Sequence, residues 1–446
     1  MSGAARLLAG RRHIVTGHDR EVSPFTQVLE AEDVPLTIGQ SDAALLPPTT
    51  DLVARSAAVS DSDPQVVAAR ERGLSVIKYA ELLGRLSPRG RTLATAGTHG
   101  KTTTSWMLHG ALSATGGPQP GALVGGLHAE HGTNAISPDS GGWFAVEACE
   151  YDRSFLHLAP TGAIVTNVEE DHLDCYGSFE ALQNAFCRFA NAVDPDGLVV
   201  LGSEVPDCVA EAVRGRVWRL GRELQIELLA ESRGIFRTRL RGPGWATPAF
   251  ELAVPGRFNV ENAALAIGLA VGAAGLTPAA AARGVAEYPG VERRFQSWGK
   301  PGGVALVHDY AHHPTEVRVT LEAARRTFPN KELHVLFQPH QASRTARLMD
   351  GFVESLRGLD RVVVANVYGA RKHIDRRGGA DAETLVKRLR LAGLDAHLGG
   401  EPAVAAEKFA AGLTADSAGF VLGAGDIDGI REDLTHAVAV RFASQR

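Results

Sequence analysis

Long apolar runs are missing from this 446-residue sequence: nothing approaches the roughly 20 residues a helix needs to span a bilayer. The opening MSGAARLLAGRR has too short an apolar part for a secretory signal. Cysteine is scarce, and Cys149, Cys175, Cys187 and Cys208 show neither paired CxxC spacing nor the density of a disulfide scaffold. A cytoplasmic location follows as the expectation. There is no block of one charge sign, and the net charge is a mild −5. No electrostatic footprint for a nucleic acid or an acidic membrane is therefore present, and neither nucleic-acid binding nor membrane insertion is expected. Internal repeats and low-complexity segments are absent as well.

What is there is an ordinary globular composition, 44% hydrophobic and 22% charged, on a chain too long for one core. Three α/β domains are expected. The stretch from Ala58 reads as a short strand, a turn (SDSDP), a helix from Pro64, the strand LSVIKY and another helix. After SPRGR, the segment RTLATAGTHGKTTTSWMLHGAL reads as strand, glycine loop and helix, so a boundary falls near Arg91. Strands at WFAVEA and AIVTN follow, then a helix from Ser178, hairpins between Leu224 and Leu252, and a buried helix from about Asn259. Beyond GVERRF, strands VALVHD, LHVLF, RVVVAN and GFVLG alternate with helices, which implies a parallel sheet covered on both faces.

GTHGKTTT is the strongest local signal. Loop N–H groups from Gly97, Thr98, His99 and Gly100 can point at phosphate oxygens, Lys101 can neutralise the β- and γ-phosphates, and the Thr102 hydroxyl can ligate Mg²⁺, with Thr103 next in the helix. A P-loop alone means only that a nucleoside triphosphate, ATP or a relative, is bound. FAVEACEYDRS puts Glu147 at the end of a buried strand with Glu150 and Asp152 nearby, and AIVTN runs into Glu170, Asp171, His172 and Asp174. Ligands in open α/β sheets bind at that edge. Taken singly, Glu147 reads equally as a helix cap and His172 as a satisfied histidine; their shared position beside the loop favours metal ligands.

In order along the chain, GTHGKTTT, EACEYDRSFLHLAP, AIVTNVEEDHLD, PGRFNVENAALA, GVERRF, DYAHHPTE, FQPHQASRT and GAGDI resemble the Mur ligases over nearly the whole length. DYAHHPTE and FQPH look most like the L-alanine-adding branch. The resemblance implies three domains: a Rossmann-like UDP-sugar domain over 1–90, a central ATP domain over 91–292, and a Rossmann-like amino-acid domain over 293–446. It implies ATP-dependent joining of L-alanine to UDP-N-acetylmuramate through an acyl phosphate, with Mg²⁺, in cell-wall precursor synthesis, by a monomer or weak homodimer. Lys101, Glu147 and His172 become the catalytic set, with Thr102 on Mg²⁺ and Glu147 and His172 resembling ligands of the two metal sites. Asn259 resembles the adenine contact; Asn262, on the same helix, reads equally as a capping or buried polar contact. Arg294 and Asp309 resemble groups reaching nucleotide phosphate and ribose. Tyr310, His312, His340 and Arg344 resemble the amino-acid pocket, although each histidine could instead be packed or capping. Ser56 resembles a loop residue at the UDP-sugar edge. Asp171 and His172 are candidates for the base that frees the amine.

Three positions depart from the family pattern. Phe258 stands where histidine is usual, and Gln341 where arginine is usual, which removes a cation from the expected carboxylate pocket. MSGAARLL resembles the end of the family's first glycine loop, so a first strand and its GxGGxG run are expected upstream and the UDP-sugar site is expected to be weakened. Two other readings stay open: a related ligase adding a peptide or a different amino acid, and a nucleotide-binding scaffold without activity.

Overall fold

The computed structural model describes residues 1–369 and 380–443, the side chain of Asp174 excepted, and these form two compact units. The first unit comprises residues 1–229, 237–252 and 260–289; the second comprises 230–236, 253–259 and everything from Gly290. None of the described helices is long and apolar enough to cross a membrane.

The first unit opens with the helix Ser2–Gly10 and four short strands, β1 (Gly17–Asp19), β2 (Leu36–Ile38), β3 (Leu52–Arg55) and β4 (Ser75–Lys78). They pair in parallel as β1–β2 and β3–β4, two ladders that do not join among the described residues. The strand expected near Ala58 is β3 instead: Val59 N–H closes a turn on the Ser56 carbonyl, so the small apolar residues Ala57 and Ala58 fall in a turn. The helices expected from Pro64 and after LSVIK run Pro64–Glu71 and Tyr79–Leu86.

Next come β5 (Thr92–Ala96), β6 (Gly121–Leu123), β7 (Ala135–Ile136), β8 (Phe144–Glu147), β9 (Gly162–Val165), β10 (Leu198–Leu201) and β11 (Arg216–Arg219). Their order is β11-β10-β9-β5-β8-β6-β7, parallel throughout except for β7 against β6. β5, β9 and β10 are buried at every residue, as central strands covered on both faces must be. Four strands, β12 (Gln225–Ser232), β13 (Ile235–Gly242), β14 (Trp245–Ala246) and β15 (Phe250–Glu251), supply the expected hairpins. The apolar helix begins at Arg257, two residues before the expected Asn259, and a further helix, Pro278–Ala286, was not legible. That helix meets the one after the glycine loop at Gly110 and Gly284: a Cβ on Gly284 would lie 2.1 Å from the Gly110 carbonyl oxygen. Only glycine permits so close a crossing.

The second unit holds β16 (Gln296–Gly299), β17 (Ala305–Asp309), β18 (Glu332–Phe337), β19 (Arg361–Ala365), β20 (Ala396–Gly400) and β21 (Ser417–Leu422), ordered β16-β17-β21-β18-β19-β20. Alternation along β18 is plain: Val335 and Phe337 enter one core cluster, Leu336 the other. β16 is antiparallel, and both it and β20 escape sequence reading, since QSWG and AHLGG carry little apolar pattern.

One β17 residue sits oddly for its chemistry. His308 is fully buried, stacked 4.9 Å from Trp298, and neither ring nitrogen has a partner among the described residues. Burial, with Arg293, Arg294 and Arg431 nearby, pushes its pKa down to about 3. The unfolded chain therefore takes a proton below about pH 6.5 that the folded one refuses, and stability falls as pH drops from there towards 3. His308→Phe should remove about 1.4 kcal/mol per pH unit of that acid slope. Hydrogen exchange of the β17 amides between pH 7 and 4.5, corrected for intrinsic rates, reads this directly; an unchanged slope would refute it.

Candidate active site

The chain leaves β5 through Gly97, whose φ of +138° already favours glycine, and a Cβ there would lie 1.9 Å from the Thr166 hydroxyl. Gly100 is left-handed at φ +79°, and its Cβ would sit 2.8 Å from Asn262 Oδ1. Asn262 thus lies against the glycine loop. The loop is stitched to the segment after β9: Thr98 N–H donates to the Asn167 carbonyl, His99 N–H to Asn167 Oδ1 (2.8 Å), and the Thr166 hydroxyl to the His99 carbonyl (2.6 Å). Thr103, in the first turn of the helix Lys101–Ser113, is buried.

Lys101 folds back on this loop. Its Nζ donates to the Gly97 carbonyl at 2.6 Å, the Thr98 carbonyl at 2.9 Å and Glu150 Oε1 at 3.0 Å. Burial alone would lower the lysine pKa, but Glu150 more than reverses that and lifts it above the ordinary value. Burial likewise opposes charge on Glu150, yet Lys101 and His172 hold its carboxyl below the usual range. His172 Nε2 stands 3.4 Å from Glu150 Oε1 and 3.7 Å from Asp171 Oδ2, on a left-handed backbone at φ +54°. Asp152 and Arg153 are left-handed too, at φ +53° and +55°. Three non-glycine residues in this conformation lie on the segments that follow β8 and β9, a concentration of backbone strain of the kind found at ligand sites.

Glu147 ends β8 and accepts two hydrogen bonds on a single oxygen: Thr102 Oγ1 donates to Oε2 at 2.9 Å and Gly125 N–H to the same atom at 2.7 Å. Oε1 takes none among the described residues. A carboxylate oxygen left open beside a threonine hydroxyl is a suitable donor set for a hard divalent cation. Ser56 shares no hydrogen bond with this cluster among the described residues.

In the second unit, Asp309 at the end of β17 accepts N–H groups from Phe295 and Ala311, both at 2.8 Å. Burial pushes its pKa up to about 6, with Arg294 pulling the other way. Arg293 and Arg294 lie over the Tyr310 ring at 4.7 and 5.0 Å, and Arg294 reaches Glu316 at 3.4 Å. Tyr310 stands edge-on to His312, His312 edge-on to His340 at 5.5 Å, and His340 stacks on Tyr368. Arg344, buried, donates to His340 Nδ1 at 3.2 Å. All four residues expected around the amino acid therefore come together. Asn259 donates from Nδ2 to the Pro255 carbonyl at 2.7 Å. Sequence reading named Glu150 without its ion pair and quoted the motifs that hold Asn167 and Glu316 without giving either a role, whereas Gly125 and Tyr368 lie outside every motif.

The glycine loop on a parallel sheet puts the first unit in the class of P-loop nucleotide-binding proteins. Comparison with known proteins takes this further. Residues 1–91 match the model of the Mur ligase family, catalytic domain; residues 95–270 match the Mur ligase middle domain; and residues 293–425 match the Mur ligase, glutamate ligase domain. The chain belongs to the Mur ligase family. It is 41% identical over 382 residues to UDP-N-acetylmuramate--L-alanine ligase of Salinibacter ruber, covering 83% of this chain and 79% of that protein. The Halorhodospira halophila ligase of the same name is 37% identical, covering 97% and 90%. Among solved structures, UDP-N-acetylmuramate-alanine ligase MurC of Thermotoga maritima superposes with a TM-score of 0.80 at 25% identity, covering 100% of this chain and 97% of that one.

Because Lys101 is half of a buried ion pair, its removal affects the fold as well as the ligand. Lys101→Met should cost roughly 3 kcal/mol by stranding Glu150, and adding Glu150→Gln should recover most of that. Nucleotide affinity should stay low in both. Thermal unfolding and calorimetry check the pattern; a double variant no more stable than the single would contradict it.

Proposed function

We propose that this chain is an ATP-dependent ligase that joins L-alanine to UDP-N-acetylmuramate in peptidoglycan precursor synthesis, acting in the cytoplasm where ATP is made available. The observation that carries the reading is the single edge at which the glycine loop, the Thr102–Glu147 pair and the Lys101–Glu150–His172 line converge. The family and the names of its relatives support it. In this reading N–H groups of Gly97 to Thr103 and the Lys101 ammonium hold the ATP phosphates. Thr102, Glu147 and His172 would hold Mg²⁺, which when bound spreads the charge of the phosphoryl oxygens. Asn259 and Asn262 take the adenine, Arg294 a phosphate, Asp309 the ribose hydroxyls and Ser56 the UDP-sugar.

The chemistry follows from what a carboxylate lacks. It is a poor acyl donor, so its oxygen first attacks the γ-phosphate, with ADP leaving, while Lys101 and the loop N–H groups stabilise the transferring phosphoryl group. The neutral amine of the amino acid then attacks the acyl phosphate, and phosphate departs as the amide forms. Arg344, turned on His340, offers a guanidinium to the amino-acid carboxylate, and Tyr310 and His312 wall the pocket.

Phosphate release from ATP with UDP-N-acetylmuramate should be fastest with L-alanine in a panel of amino acids. A tripeptide outpacing every single amino acid would instead support a peptide-adding ligase, the reading that Gln341 favours. Gln341→Arg should lower the Michaelis constant for L-alanine roughly tenfold, since a guanidinium makes a paired, charge-assisted contact that an amide cannot. His172→Ala should raise the Mg²⁺ concentration giving half-maximal turnover more than it weakens ATP binding; an unmoved Mg²⁺ titration would remove His172 from the metal set.

A further inference from the structure

The β6–β7 hairpin is tied to a residue of the helix after the glycine loop whose position no motif explains. Trp106 lies one helical turn after Thr102, is almost wholly buried, and donates its indole N–H to the Gly126 carbonyl at 3.0 Å. The preceding residue, Gly125, donates its own N–H to Glu147 Oε2, the atom that Thr102 also holds. Residues four apart on a helix share a face. The helix after the glycine loop therefore grips Glu147 twice, directly through Thr102 and indirectly through Trp106 and the Gly125–Gly126 turn.

The indole is itself braced. It stands edge-on between His109 at 5.6 Å and His128 at 4.9 Å. His109 is tied through Nε2 to the Pro120 carbonyl at 3.2 Å, just before β6. His128 Nδ1 accepts N–H groups of Glu130 and His131, both at 3.3 Å, which closes the hairpin loop on itself. Burial pushes both imidazoles down to about 4, so neither carries charge at neutral pH. A Cβ on Gly125 would come within 3.1 Å of both Glu147 carboxylate oxygens and would push the carboxylate aside by a few tenths of an ångström.

We propose that Trp106 is a positioning residue for the metal site: by pinning the Gly126 carbonyl it fixes the Gly125 N–H that turns Glu147, leaving Oε1 open to a divalent cation. The proposal rests on Glu147 being a metal ligand. It names no contact between Trp106 and any ligand, so its effect must pass through the orientation of Glu147.

The test is Mn²⁺ binding to the full chain in the presence of ADP, followed by the electron paramagnetic resonance signal of free Mn²⁺, with metal-free ADP affinity measured alongside. Trp106→Phe keeps an aromatic ring and loses the N–H. Replacing Trp106 with β-(3-benzothienyl)alanine keeps the indole shape and loses only the donor, so a folding defect in the first variant leaves the second to decide. Either should weaken Mn²⁺ binding about three- to tenfold, the effect of one lost hydrogen bond, while metal-free ADP affinity stays within about twofold. A role confined to packing would lower the melting temperature without moving the Mn²⁺ titration. Glu147→Gln serves as the reference. If it weakens Mn²⁺ binding and the isostere does not, the positioning role is overturned and the metal-ligand reading stands. If Glu147→Gln itself leaves Mn²⁺ binding unchanged, the metal-ligand reading falls, and the positioning role with it.

Discussion

A lysine ammonium taken out of water needs oxygen atoms in place of its hydration shell, and four surround Lys101: the carbonyls of Gly97 and Thr98 and both carboxylate oxygens of Glu150. This cluster ties together three pieces of chain that follow three different strands. Gly97 and Thr98 follow β5, Glu150 follows β8, and His172, which reaches Glu150, follows β9. Neighbouring strands of a parallel sheet end at the same edge, so residues far apart in sequence meet without any long loop. The cost of burying Glu150 is offset only while Lys101 and His172 remain beside it, which makes the ion pair a condition of the local fold as much as of ligand binding.

Crowding imposes the second constraint. Gly97 presses on Thr166, Gly100 on Asn262 and Gly125 on Glu147, each at a distance that leaves no room for a Cβ or would force its neighbour aside. Gly125 uses this closeness to donate its N–H to Glu147 Oε2, a contact that a side chain at 125 would crowd. The left-handed backbones at Asp152, Arg153 and His172 belong to the same edge and are not glycine, so the surrounding contacts hold them there against their own preference.

Most central strands were legible because a strand covered on both faces is a continuous apolar run: LATA, FAVE, AIV, HVLF and FVL all declare themselves, whereas the equally apolar and buried LVVL of β10 went unread. Edge strands were not legible. QSWG and AHLGG are half-exposed, and neither their length nor their composition separates them from loop. The site was legible to the extent that it is local. GTHGKTTT carries its own chemistry, whereas Trp106 and Gly125 acquire their roles only from a hairpin that returns to Glu147. Tyr368 likewise joins the His312–His340–Arg344 cluster only because its backbone pairs with that of Gln341 and its ring stacks on His340.

Position 341 shows how far backbone and side chain can be separated. The Gln341 N–H donates to the Tyr368 carbonyl, and its own carbonyl accepts from the N–H and hydroxyl of Thr345. Its φ of +66° is thereby fixed by hydrogen bonds that do not involve the side chain. Glutamine and arginine are both unbranched at Cβ and bear this conformation at similar cost, so the residue at this site is free to vary without disturbing the helix that follows. What varies is recognition. An amide offers a dipole and no charge, which leaves the buried Arg344 as the guanidinium turned on His340. On the proposed amino-acid role of this cluster, an α-carboxylate would be held by one cation instead of two.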